Sequence, residues 1–222
     1  MLARVTFHQY LRWLLLAGLV LLLPLYKGGT PATAQALASV LAGLLAISLA
    51  WEFPFERREI LHWALPWLLL SLIALYPPGM WFGYELALPP VAHRLSWWAF
   101  LTIYWLAMMS VAKLPGELSR ALVLVIVVLA VFEAIYGVAS VLGEHGGGNA
   151  TGTFVNRNHY ANMLATSWML GFALLAAPRL MHMQSEAWRR FVLVLFSLIL
   201  ALAVLVSNSR MGIGAAAIGF LA

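Results

Sequence analysis

The chain has 222 residues, 64% hydrophobic and 9% charged, with a mean hydropathy of +0.91; soluble domains carry about 25% charged residues, so this is not an ordinary soluble domain. The formal net charge is +5, but the basic residues stand singly or in pairs between apolar runs, which argues against a nucleic-acid partner. There is no cysteine and no aspartate, so disulfides and thiolate metal sites are excluded.

A membrane-spanning helix needs about 20 mainly apolar residues, with a range of roughly 17–25. In chain order, the apolar runs predict seven spans: Tyr10–Tyr26, Pro31–Trp51, Ile60–Tyr76, Ser96–Ala112, Ala121–Leu142, Tyr160–Ala177 and Phe191–Ser207. The first run ends at Pro24-Leu25-Tyr26-Lys27 without a small-x-small cleavage site, so it reads as a span and not as a signal peptide. Residues 77–95 are rich in proline and aromatics (Pro77, Pro78, Trp81, Phe82, Tyr84, Pro89, Pro90), the composition of a packed re-entrant or interfacial loop. Residues 143–152 hold five glycines, Gly143, Gly146, Gly147, Gly148 and Gly152, which suits flexibility or close backbone approach. An eighth apolar segment opens at Met211 and stops at Ala222. As a helix it rises about 18 Å against a hydrocarbon core of about 30 Å. The expectation is that residues 1–222 are the front part of a longer protein. The expected fold is all-α, a polytopic integral membrane helical bundle of seven complete spans plus a truncated eighth, forming one transmembrane domain over 1–222. The ten tryptophans and seven tyrosines gather near run ends, as an interfacial aromatic belt would.

Lysine and arginine in the short loops set the expected orientation. Arg4, Arg12, Arg57, Arg58, Lys113, Arg120, Arg179, Arg189 and Arg190 fall on one side; Lys27, Arg94, Arg157 and Arg210 fall on the other. This bias places the N-terminus in the cytoplasm and the segments 77–95, 143–159 and 208–210 outside. Positive charge on the outer face opposes the topology signal, so Arg157 and Arg210 call for another explanation.

Two polar clusters interrupt the apolar pattern. The first is Gly152-Thr153-Phe154-Val155-Asn156-Arg157-Asn158-His159-Tyr160-Ala161-Asn162. Asn156 and Asn158 are good capping types for the helix that follows. A helix N-terminus presents free N–H groups and a positive dipole end, Arg157 adds a planar fork suited to phosphate, and His159 exchanges protons near neutral pH. The cluster fits a pyrophosphate cradle and equally a capped helix end with a snorkelling arginine. The second cluster is Ser207-Asn208-Ser209-Arg210-Met211-Gly212, a turn short enough to hold Arg210 near the headgroup plane, either as a phosphate ligand or as an interfacial anchor. Glu133 is the single acidic residue inside a predicted span. Burying a charged side chain near the bilayer centre costs about 2.5–3.5 kcal/mol on insertion scales, so such residues pair or face a cavity. Glu133 reads as buried polar support, either a protonated hydrogen-bonder to Tyr136 or another helix, or the partner of an outer-face arginine. His62, His93, His145 and His182 read as solvated or interfacial, and no metal-site spacing occurs. The Asn149-Ala150-Thr151 sequon has meaning only in a glycosylating host.

The stretch 152–162 resembles a signature of the bacterial O-antigen ligase and O-antigen polymerase superfamily. Ser207-Asn208-Ser209-Arg210-Met211-Gly212 is similar to that family's Ser-Arg motif. The resemblance covers the whole chain as topology but only about 20 residues as motif, at 152–162 and 207–212. It implies a multi-pass glycosyltransferase of the bacterial inner membrane, active in lipopolysaccharide or other polysaccharide biosynthesis. Such an enzyme moves a glycan from an undecaprenyl-pyrophosphate carrier to a periplasmic acceptor, which is lipid A-core, another glycan or a protein, without a metal or other cofactor. The resemblance assigns pyrophosphate binding to Arg157 and Arg210, with Asn156, Asn158 and His159 supporting the cradle. The family's catalytic histidine lies in a large outer loop further along, so no catalytic residue is assigned within 1–222, and the 222 residues alone are expected to be inactive.

Two other readings are a permease-like transporter of the same superfamily and a structural membrane subunit. Transport predicts paired charges or broken helices near the midplane. Here Glu133 stands alone and the polar clusters sit at the outer boundary, which favours handling of a lipid-linked substrate.

Overall fold

The structure, a computed structural model, describes residues 5–27, 32–51, 57–75, 91–143, 148–176 and 185–221. Among these there are eight α-helices and no strand: α1 (Phe7–Leu25), α2 (Ala32–Ala50), α3 (Arg57–Leu75), α4 (Val91–Ala112), α5 (Gly116–Gly143), α6 (Arg157–Ala176), α7 (Glu186–Val206) and α8 (Arg210–Leu221). Each helix coincides with a predicted apolar segment, but α3 to α7 each begin three to five residues earlier than the apolar run. Hydropathy marks the part of a helix that suits lipid; the hydrogen-bonded ladder continues into a polar first turn that hydropathy ignores. Glu186 and Arg190 show this in α7. They form an exposed i,i+4 ion pair, just after the N-cap Ser185, whose hydroxyl accepts from the Trp188 amide at 3.4 Å.

Four helices among the described residues are long and apolar enough to cross a membrane: α2, residues 94–112 of α4, α5 and α7. The described residues are therefore all-helical and of membrane type, with four of the seven expected spans meeting that length and hydropathy. Residues 7–22 and 62–75 form shorter apolar helices, and the polar opening turn of α6 separates it from the four. The proline-rich stretch 77–90, with His145 and His182, lies outside the described residues.

The chain forms two compact units. The first comprises residues 1–16 and 38–114. Its α3 and α4 pack together through tryptophans: Trp67 Nε1 donates to Thr102 Oγ1 at 3.2 Å, Trp98 Nε1 to Ser71 Oγ at 2.9 Å and Trp105 Nε1 to the Trp63 carbonyl at 2.9 Å. The Trp67 ring lies about 6 Å from both Trp98 and Trp105. These four tryptophans form an inter-helix ladder, with Trp63 and Trp98 near the ends of their apolar runs and Trp67 and Trp105 further inside. An indole inside an apolar layer must find an acceptor, and the facing helix supplies it. Arg12 also departs from expectation. It lies six residues into α1, fully buried, with Nε and Nη2 3.2 Å from Ser48 Oγ and the Ser48 carbonyl, so it is a packed side chain and not a loop charge.

The second unit comprises residues 17–37 and 115–222. Its core runs between α5, α6 and α7, with Ala130, Ala134, Tyr160, Leu164, Leu200 and Ala203 fully buried. Gly171 sits where a Cβ would come within 2.4 Å of the Phe196 ring, so the α6–α7 contact depends on the missing methyl. Against α6 lies α8, and the two run parallel: Asn158 meets Ser209, Ala161 meets Gly212 and Met169 meets Gly219. A Cβ on Gly212 would stand 2.3 Å from that of Ala161. Small residues let two helix backbones approach in this way, the usual basis of helix association in lipid.

Candidate functional site

The site is built where the N-termini of α6 and α8 meet, entirely within the second unit. Asn156 is the residue before α6, and its Oδ1 accepts from the Asn158 amide at 2.8 Å. This caps one of the amides that a helix start leaves without an internal partner. Arg157 is then the first helical residue. The start of α8 repeats the plan. Asn208 adopts a left-handed conformation (φ 52°), which turns the chain sharply after α7; asparagine is among the few residues other than glycine that do so readily. Ser209 follows, its hydroxyl accepting from the Gly212 amide at 3.1 Å, and Arg210 is the first helical residue. The Ser209 hydroxyl also donates to Asn158 Oδ1 at 2.9 Å, which ties the two starts together. Ser207 completes the corner, its hydroxyl donating to the Val204 carbonyl at 2.6 Å and accepting from the Ser209 amide at 3.3 Å. Ser207 and Ser209 are buried, so the turn is rigid and packed.

The result is a cavity of about 360 Å³ lined by Arg157, Asn158, Asn208, Arg210 and Met211. Both arginines are exposed, and no carboxylate lines the cavity. Among the described residues, neither guanidinium has an ion-pair partner. Two positive helix ends and two guanidiniums therefore face one polar hollow. That arrangement has the chemistry to suit an anion with several oxygens, because helix dipoles and planar forks border the same volume. Arg157 and Arg210, singled out separately in the sequence, thus share a wall with Asn158. Asn156 caps α6 without lining the cavity, and His159 is exposed on the first turn of α6, also outside the lining. The walls come from α6 and the α7–α8 corner. Asn208 and Met211 line the cavity although sequence reasoning gave them no role; an asparagine between two serines after an apolar run is the available signal for a left-handed corner.

Behind the site lies Glu133, fully buried in α5. Its partner is the loop ahead of α6: Thr153 donates to Oε2 through its amide at 2.9 Å, and the Thr153 hydroxyl lies 2.6 Å from Oε1. That hydroxyl also contacts the Pro24 carbonyl in the last turn of α1. The expected alternatives do not hold: Tyr136 is exposed and stacked on Phe132, and no described arginine pairs with Glu133. Tyr160 is buried beside this knot, its hydroxyl donating to the Glu133 carbonyl at 3.2 Å. Two glycines make room. A Cβ on Gly137 would lie 2.4 Å from the Tyr160 hydroxyl, and one on Gly152 would lie 2.2 Å from Glu133 Oε2. Gly152 also has φ +57°, so its place in the turn suits glycine twice over. The Ala150 amide fastens the loop to α7 by donating to the Val206 carbonyl at 3.2 Å.

No group of three or more histidine or glutamate side chains that could hold a metal ion occurs among the described residues. No family model, no curated protein and no solved structure matches this chain.

Proposed function

We propose that the protein binds the pyrophosphate of an undecaprenyl-linked glycan and serves in its transfer to an acceptor on the periplasmic face, as a glycosyltransferase of the O-antigen ligase and polymerase type. The observation that carries this reading is that Arg157 and Arg210, from motifs more than 50 residues apart, line one cavity at two adjoining helix starts. In glycan transfer the breaking bond leaves charge on the carrier pyrophosphate. Guanidiniums and helix-end amides already in place stabilise that charge as it develops, which is the condition for catalysis. Asn158 and Asn208 supply further polar groups at the rim, and Met211 an apolar one. The N-terminus is assigned to the cytoplasm, with the cavity opening on the opposite face, on the distribution of Lys and Arg in the sequence.

The experiment is retention of undecaprenyl pyrophosphate by the protein in lipid nanodiscs. The expected result is binding that falls with ionic strength and is lost in Arg157→Ala combined with Arg210→Ala. Equal binding by the double variant would leave the two residues as membrane anchors and end the proposal.

A further inference from the structure

We infer that Glu133 is a positioning residue for the arginine cavity, acting through the hydrogen bonds that its carboxyl shares with Thr153. The knot around it joins three parts of the second unit: the last turn of α1 through the Pro24 carbonyl, α5 through Glu133 itself, and the loop leading to α6 through Thr153. The Thr153 amide donates to Oε2 and the Thr153 hydroxyl to Oε1, and the same hydroxyl reaches the Pro24 carbonyl in the last turn of α1, where carbonyls lack a helical donor. Both carboxyl oxygens are therefore used inside the knot. No arginine, lysine or histidine is bonded to the carboxyl among the described residues.

The consequence for the site is direct. Thr153 precedes Arg157 by four residues and sits inside the 151–154 turn, which is closed by the Phe154 amide donating to the Thr151 carbonyl at 2.9 Å. Phe154 also packs edge-on against the buried Tyr160, 6.3 Å between ring centres. Fixing Thr153 therefore fixes where α6 begins and where Arg157 stands. This inference rests on the proposed function only for its effect on binding; the placement of the loop is a separate observable.

The test uses the absence of cysteine in the chain. Spin labels are attached to cysteines placed at Val155 and Leu142, both well exposed, and the distance between loop and α5 is measured in nanodiscs. The background is wild type, Glu133→Gln, Glu133→Ala or Thr153→Val. Glutamine replaces the carboxyl without charge, offering an N–H to the Thr153 hydroxyl and an oxygen to its amide. Glu133→Gln should keep the narrow wild-type distribution and hold undecaprenyl pyrophosphate within about threefold of wild type. Glu133→Ala and Thr153→Val should broaden the distribution and weaken binding by about tenfold or more, the size expected when a buried polar partner is lost. A broad distribution in Glu133→Gln would show that the charge is required and overturn the inference. A narrow one in Thr153→Val would overturn it from the other side. If Glu133→Ala fails to fold, the other two variants still decide. If wild type itself retains no undecaprenyl pyrophosphate, the proposed function falls, while the label distances still judge the role of Glu133.

Discussion

Arg157 and Arg210 carry the same hydrogen-bonding fork at the same position of two helices, so their substitutions should behave alike. Replacing either by alanine removes one preorganised charge-stabilising donor, which costs about 2–4 kcal/mol of transition-state stabilisation, or roughly 30- to 1000-fold in rate. Lysine should restore only part of this, since it keeps the charge and loses the fork. Glycan transfer from a purified carrier-linked donor, by a chain that also carries the outer-loop histidine, measures both. His159→Ala should be mild, because that side chain stands outside the cavity lining. Asn208 is a different case. Its left-handed backbone makes Asn208→Ala costly by about 1–2 kcal/mol, whereas Asn208→Gly should be nearly neutral for stability. Thermal unfolding of the two variants separates the backbone contribution from any contact the amide makes with a ligand. These residues show what a sequence can and cannot carry. The arginines were legible as chemistry, each in a polar cluster at a span boundary. Their common cavity was not, because it depends on a bond between Asn158 and Ser209 across 51 residues of chain. The partner of Glu133 was hidden for the same reason. Tyr136 was near in sequence, but Thr153, across a loop and a helix end, was near in space.

The α6–α8 pair is where packing and site meet. Gly212 lies three residues into α8, directly against Ala161 of α6. A larger side chain there must push the helices apart at the end that holds the cavity. Gly212→Leu should therefore destabilise by about 1–3 kcal/mol, the usual cost of overpacking, and should also weaken binding of undecaprenyl pyrophosphate. Gly214→Leu is the control on the same helix, since a Cβ at Gly214 meets nothing within 4 Å. A similar loss in both variants would show that α8 is simply intolerant of bulk. The extent of the helices was largely written in their hydropathy, and their polar opening turns were not. The tryptophans of α3 and α4 bond across the helix contact, a role that their composition alone did not reveal. An indole suits a wet boundary, but it suits equally a dry interface where a neighbouring hydroxyl or carbonyl accepts its N–H, and composition does not distinguish the two.

For the whole molecule, the distribution of lysine and arginine predicts a topology that reporter fusions can read. A fusion after Lys113 should report cytoplasm and one after Gly147 the periplasm. The opposite assignment would place the arginine cavity on the cytoplasmic side, away from the proposed acceptors. Arg12 no longer counts toward that bias, because it is buried within α1 and bonded to Ser48, yet eight residues against four remain on the inner side.

The parallel course of α6 and α8 has one more consequence. Neighbouring helices that run antiparallel let their dipoles offset each other; two that start side by side do not. Here both positive ends, each with an arginine at its first residue, are held together by the Asn158–Ser209 bond and the Ala161–Gly212 contact. The cavity thus gathers like charge at one end of the helix pair, and a bound anion offsets it. Ligand binding and folding stability should then be linked, by mass action on the folded state. Inorganic pyrophosphate, with no lipid and no glycan, should raise the unfolding temperature at low salt. The rise should shrink as ionic strength increases and vanish when both arginines are replaced by alanine. The same variant should unfold no earlier than wild type in the absence of anion, for it has lost a repulsion along with a site.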